Sequence, residues 1–205
     1  MLKISNICLA LWRRMNWRPN VCTLIEILLL ALIAPLMLWA NPAWFVEDGI
    51  VENIQLLVLI AAFIIACYAK NQRPLFIFAA MIVIFLIMRE TNMFRGYFCE
   101  KYLNPDDICR WKEFEYGFIP ETIRLLLAIV ALGYFIRCKL WRPLWKYVVS
   151  APIFVWDFLI LGLTFVGGTI AEFPCIDNEI LEECCELICY IAVANCIWRY
   201  RQIEL

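Results

Sequence analysis

Along this chain the apolar residues gather into six long runs, at 21–39, 50–68, 75–94, 121–136, 151–172 and 179–198, with charged residues crowded into the connections and the run ends. A helix needs roughly 20 apolar residues to cross about 30 Å of hydrocarbon, and the runs meet that length or come close to it. The pattern predicts an all-α protein, a polytopic transmembrane bundle of six helices forming one integral membrane domain over 1–205. The fourth run is the weakest, because its purely apolar part, 125–136, is short. It must take in Glu121 to Arg124, or lie where the bilayer is thinned or the surroundings are protein.

The first run is longer than the apolar part of a secretory signal, carries Glu26 and is closed by no small-residue cleavage pattern, so it reads as a retained anchor. The stretch ISNICLALWRRMNW within 1–20 mixes aromatic, apolar and basic residues. It reads as a short amphipathic segment lying at the cytoplasmic interface.

Composition strengthens the membrane reading: 64% of residues are hydrophobic, 15% are aromatic and the mean hydropathy is +0.77, well above a soluble domain. No basic run has the character of a nucleic-acid contact, so nucleic acid is excluded as a partner. The lipid bilayer is the first partner implied. With the amino terminus inside, 12 of the 18 basic residues fall on the cytoplasmic side and 16 of the 19 acids on the other. The topology expected from that asymmetry is N-in and C-in. Trp12, Trp17, Trp141, Trp145 and Trp198 then line the inner boundary, and Trp39, Trp44 and Trp111 the outer one. The one sizeable loop, 95–120, is outside and offers a contact for a membrane-protein partner.

Histidine is absent, and the serines are Ser5 and Ser150, both on the inner side. Ser/His and Cys/His hydrolase arrangements are thereby excluded, and neither zinc nor haem is expected. Of the 11 cysteines, Cys8, Cys22, Cys67, Cys138 and Cys196 fall within helices or on the inner side. In an oxidising outer compartment Cys99 is expected to pair with Cys109, and Cys175 with Cys184 or Cys185; Cys189 is the further thiol.

The acids carry the candidate chemistry. Glu47, Asp48, Glu121 and Glu179 sit at outward-facing helix amino ends, where the macrodipole favours them. Glu52 and Gln55 continue deeper on the face begun by Asp48, and Glu182, Glu183 and Glu186 extend two turns in from Glu179. Glu90 and Glu172 lie at outward carboxyl ends, which disfavour acids. Arg89 and Arg95 are near Glu90 in sequence, whereas Glu172 has no basic neighbour and must be compensated from another helix. Gly167 and Gly168 allow either close helix packing or a hinge beside Glu172. Asp157 and Glu26, near the inner ends, read as interfacial ion pairs with Lys146, Arg142 or Arg18.

Five of the six predicted spans thus bring polar groups to one membrane depth. Crowded carboxylates suit acid/base work, for which Glu52, Glu90 and Glu186 are the candidates. Asp48, Glu172, Glu182 and Glu183 are candidate ligands for a hard divalent ion, Ca²⁺ or Mg²⁺. Arg89, Arg124, Gln55 and Asn92 are candidates for holding a polar or phosphorylated small molecule or a lipid head group.

The segments EDGIVENIQ, MRETNMF and EECCEL resemble the acidic helix ends of small bacterial inner-membrane proteins. The likeness covers three short segments and implies no activity; the expected location is a bacterial inner (plasma) membrane. Three readings follow. The first is an outward-facing carboxylate-rich pocket for a cation and a polar ligand, either purely binding or extended to carboxylate-based hydrolysis or transfer, above a closed, apolar cytoplasmic half. The second is a proton- or cation-coupled transporter or channel, disfavoured by the apolar mid-span segments and the lack of an internal repeat. The third is a structural or assembly subunit of a membrane complex.

Overall fold

The computed structural model describes residues 12–41, 44–45, 49–91, 118–173, 176 and 178–203. The described residues are helical apart from turns and one minimal strand pair. In chain order the elements are β1 (Met15–Asn16), α1 (Val21–Trp39), α2 (Ile50–Cys67), α3 (Arg73–Glu90), α4 (Phe118–Arg137), α5 (Trp141–Ser150), β2 (Ile153–Phe154), α6 (Val155–Ala171) and α7 (Glu179–Tyr200).

Three of these helices, α1, α2 and α4, are long and apolar enough to cross a membrane, and α6 is apolar but shorter, at 17 residues. Charge sets the other two apart: α3 carries Arg73, Arg89 and Glu90, and α7 carries four glutamates and Arg199. The fourth run, weakest in sequence, is a continuous 20-residue helix that does take in Glu121 to Arg124. Large apolar side chains cover the outer faces of α1 and α4, among them Leu28, Leu38, Leu125 and Leu132, all exposed. Patches of that extent are expected of a surface solvated by lipid rather than water.

The packing centres on α7. It lies against α6, α2 and α1, while α3 packs on α2, and α4 rests on α3. Two apolar cores meet on α7 from different sides. Leu59, Ala62 and Val83 pack with Tyr190, and Ile160 packs with Ile188 and Ala192. Along the whole of α7 only Glu179 and Trp198 are exposed.

Local chemistry fixes the ends. Asn20 opens α1 with a capping box: its side chain accepts from the Thr23 backbone N–H at 2.7 Å, and the Thr23 hydroxyl accepts from the Asn20 N–H. Asn178 accepts from the Leu181 N–H at 2.8 Å and opens α7, as short polar side chains at this position do. The connection between α4 and α6 holds the amphipathic helix α5. Arg14 donates to the Val148 and Ala151 carbonyls at 2.7 Å and satisfies that helix's last turn. β1 and β2 pair in parallel beside this contact, Met15 opposite Ile153. Residues 12–14 of the predicted amphipathic segment are helical; its earlier part lies outside the described residues.

The structure corrects the expected Cys175 pairing. Cys184 and Cys185 are free, buried thiols, so neither closes a bridge to Cys175. Cys185 instead fills the α6–α7 contact: a Cβ on Gly167 would meet its sulfur at 2.9 Å. α6 runs unbroken through Gly167 and Gly168, so this pair serves close packing, not a hinge. Cys99, Cys109 and the loop 95–117 lie outside the described residues.

Replacing Ile188, which is 1% exposed, with alanine is expected to cost about 2 kcal/mol or more through the cavity left against Ile160 and Ala192. The same truncation of Leu132, 60% exposed on α4, should stay within about 0.5 kcal/mol. Reversible unfolding in micelles measures both; equal losses would contradict the central position of α7.

Candidate functional site

The carboxyl ends of α3 and α6 and the amino end of α7 meet at one end of the bundle. Arg89 forms the hub there. Its guanidinium is hydrogen-bonded and ion-paired to Glu186, lies 3.8 Å from Glu172 and, through Nε, 4.0 Å from Glu90. Glu172, without a basic neighbour in sequence, therefore finds its compensation on another helix.

Glu90 is buried, and Tyr190 donates its hydroxyl to it at 2.5 Å. That bond satisfies a carboxylate at a helix end that disfavours it, and couples α3 to α7. Gln55, fully buried on α2, donates Nε2 to the Glu183 backbone carbonyl at 3.0 Å and to the Glu183 carboxylate at 2.8 Å. Its own carbonyl oxygen has no hydrogen-bond partner among the described residues. Glu52 is half-buried one turn before Gln55 and lies within electrostatic reach of Glu90 and Glu183.

One oxygen from each of Glu172, Glu182 and Glu186 lies within 4.8 Å of the others. That spacing is compatible with carboxylates converging on a cation of oxygen-ligand chemistry. The structure thus draws together Glu90, Glu172, Glu182, Glu186 and Arg89, with Gln55 and Glu183 paired beside them. It does not bring Arg124 to them: this side chain is half-buried on α4, which rests on α3, and no hydrogen bond or ion pair joins it to the cluster among the described residues. Asp48 and Asn92 lie outside the described residues.

The opposite end of the bundle is not the apolar half that was expected. Thr23, Glu26 and Asp157 are fully buried there, with Asn195 3% exposed. Asp157 pairs with Arg199 at 2.8 Å, rather than with Lys146, Arg142 or Arg18, and accepts from the Thr23 hydroxyl at 2.6 Å. Arg199 also stacks on the Phe154 ring, 3.6 Å from its centroid. Glu26 is not in an interfacial ion pair; it accepts from Asn195 Nδ2 at 3.2 Å inside the bundle. Sequence reasoning missed Thr23, Asn195 and Arg199. The available signal was spacing: Thr23 and Glu26 share a face of α1, and Asn195 and Arg199 a face of α7.

A groove of about 720 Å³ lies at this same end between α3, α5, α6 and α7, lined by Phe76, Ile82, Tyr147, Phe158 and Tyr200 among others. Its walls are apolar, and none of the clustered carboxylates lines it. Tyr147, on α5 outside the spanning runs, has its phenol pKa raised by burial.

Compared with protein-family models, curated proteins and solved structures, the chain matches none.

Changing Tyr190 to Phe strips Glu90 of its buried donor and is expected to cost about 1–3 kcal/mol. Adding Glu90→Met should recover most of that loss, because both partners are then apolar. A double-mutant cycle on unfolding free energy measures the coupling; strictly additive effects would show that the hydroxyl bond contributes nothing.

Proposed function

We propose that this chain is an integral membrane protein spanning a bacterial inner membrane six times, with both termini cytoplasmic. Its outward acidic end binds a divalent cation, Ca²⁺ or Mg²⁺, together with a polar or phosphorylated small molecule or lipid head group. The observation that carries this reading is the convergence of Glu172, Glu182 and Glu186 beside Arg89, the one arginine paired with them among the described residues.

Charge balance supplies the physical reason. Among the described residues Arg89 stands alone against Glu90, Glu172, Glu182, Glu183 and Glu186, more carboxylates than one guanidinium neutralises. Like charges at this spacing repel, and a bound cation relieves them. A cation held by Glu172 and Glu186 also releases Arg89 from both. The freed guanidinium is then available for a phosphate or carboxylate, which it engages with two parallel hydrogen bonds. Cation and anionic ligand would in this way bind together. An enzymatic form of the same site would use Glu90 or Glu186 for proton transfer, with Glu52 at its edge.

The transporter reading has one specific observation in its favour, the second buried polar group at the other end of α7. Asn195 lies only five residues beyond Tyr190, about 7.5 Å along the helix axis.

Calcium binding to the purified protein in lipid nanodiscs tests the proposal. At 100 times its Kd the ion should stabilise the fold by about 2.7 kcal/mol. Glu182 makes no ion pair with Arg89 among the described residues, so E182Q should abolish that stabilisation without lowering the calcium-free stability, which rises as the carboxylate repulsion is relieved. An equal calcium response in wild type and E182Q would overturn the site.

A further inference from the structure

The buried group at the far end of α7 contains one carboxylate whose hydrogen bonding does not close. Asn20, Thr23 and Glu26 come from α1 and the residue that caps it, Asp157 from α6, and Asn195 and Arg199 from α7. Asp157 is fully provided for, with Arg199 on one oxygen at 2.8 Å and the Thr23 hydroxyl on the other at 2.6 Å. Asn20 donates to the Asn195 carbonyl at 2.7 Å, and Asn195 donates to Glu26 Oε1 at 3.2 Å.

Glu26 is left with that single neutral donor. It is 0% exposed, and its Oε2 has no hydrogen-bond partner. No ion pair reaches it among the described residues, since Arg199 is engaged by Asp157. The charged or titratable groups facing it are Asp157 from α6, Arg199 and Cys196 from α7, and Cys22 on α1 itself. The one cation in that set is already matched by Asp157.

An ionised carboxylate in this position would be a buried charge with a bare oxygen, which costs several kcal/mol even after relaxation. A neutral hydroxyl without an acceptor costs only about 1–3 kcal/mol. The balance favours the acid form. A metal ion is a poorer solution, because a hard cation needs about six oxygens. Here the Asn195 carbonyl is engaged by Asn20, and the Thr23 oxygen lies in contact with Asp157, Asn20 and Asn195. Only Glu26 Oε2 is unengaged.

We propose that Glu26 is a proton-binding site, separate from the acidic end, which holds its proton on Oε2 and exchanges it with water past half-buried Asn20. The step is a simple acid–base equilibrium: the carboxylate takes up one proton to become the acid, and returns it on release. Asp157 has Arg199 and the Thr23 hydroxyl as partners and Glu26 has neither, so the two carboxylates have divided roles.

Infrared spectroscopy of the full-length protein in nanodiscs tests this. At neutral pH the wild type should show the carbonyl-stretch band of a carboxylic acid, shifted in heavy water, and E26Q should lose that band whereas D157N should retain it. Unchanged spectra in E26Q would mean that Glu26 is ionised and would overturn the proposal. Should E26Q fail to fold, N195A serves in its place. Removing the donor to Oε1 must then shift the band frequency, and an unshifted band would assign the acid to another residue. Sodium at fixed ionic strength against choline is the remaining arm: loss of the band with sodium alone would assign the site to a metal cation and overturn the proton.

Discussion

A helix that carries Glu182, Glu183, Glu186, Asn195 and Arg199 cannot face hydrocarbon, because each unpartnered polar group there costs several kcal/mol. The rest of the structure depends on that constraint. α7 is enclosed by α1, α2 and α6, and every neighbour brings what its polar positions need. Gln55 comes from α2 to Glu183, and Asp157 from α6 to Arg199. α3 sends Arg89 to Glu186 and accepts the Tyr190 hydroxyl on Glu90. α4 carries its charges at Glu121, Arg124 and Arg137, near its ends, and rests on α3 with exposed leucines outward.

The same constraint explains why the two ends of the bundle differ. At the acidic end α7 begins, and its unpaired backbone N–H groups and partial positive charge favour glutamates. Their number exceeds what Arg89 can match among the described residues, which is the basis of the cation-binding proposal. At the basic end α7 finishes, where a macrodipole favours Arg199, and that arginine is consumed by Asp157. Glu26 is then the odd carboxylate. Each end thus holds more carboxylates than the arginine paired with them among the described residues can match, a half-exposed cluster at one end and the buried Glu26 at the other.

Much of the helical frame was legible in the sequence, because long apolar runs admit few alternatives to helices. The 21–39 run matches α1 at both ends, and the others match within a few residues, ending where Arg73, Glu90 or Gly49 interrupts them. α5 was not legible: WRPLWKYVVS is short, contains Pro143 and mixes charge with aromatics, and its order comes from the Arg14 contact with its last turn. For the acidic cluster, the lack of a basic neighbour for Glu172 pointed to a partner on another helix, and Arg89 is that partner, whereas the Tyr190 hydroxyl on Glu90 was not foreseen. Arg124 misled because membrane depth alone carries no information on which helix neighbours which. Glu26 and Asp157 misled for a related reason: nearness to a predicted boundary suggested an ion pair with a sequence-local base. The actual partners lie on α7, more than 40 residues from Asp157 and nearly 170 from Glu26.

The claim on which the rest turns is that α7 is surrounded by protein along its length. A nitroxide scan of α7 and α4 in bilayers, read by collision with dissolved oxygen, measures it directly. The account predicts low oxygen contact on every face of α7 from 180 to 197, against a strong helical maximum on α4 at Leu125 and Leu132. A face of α7 as oxygen-accessible as Leu132 would contradict it.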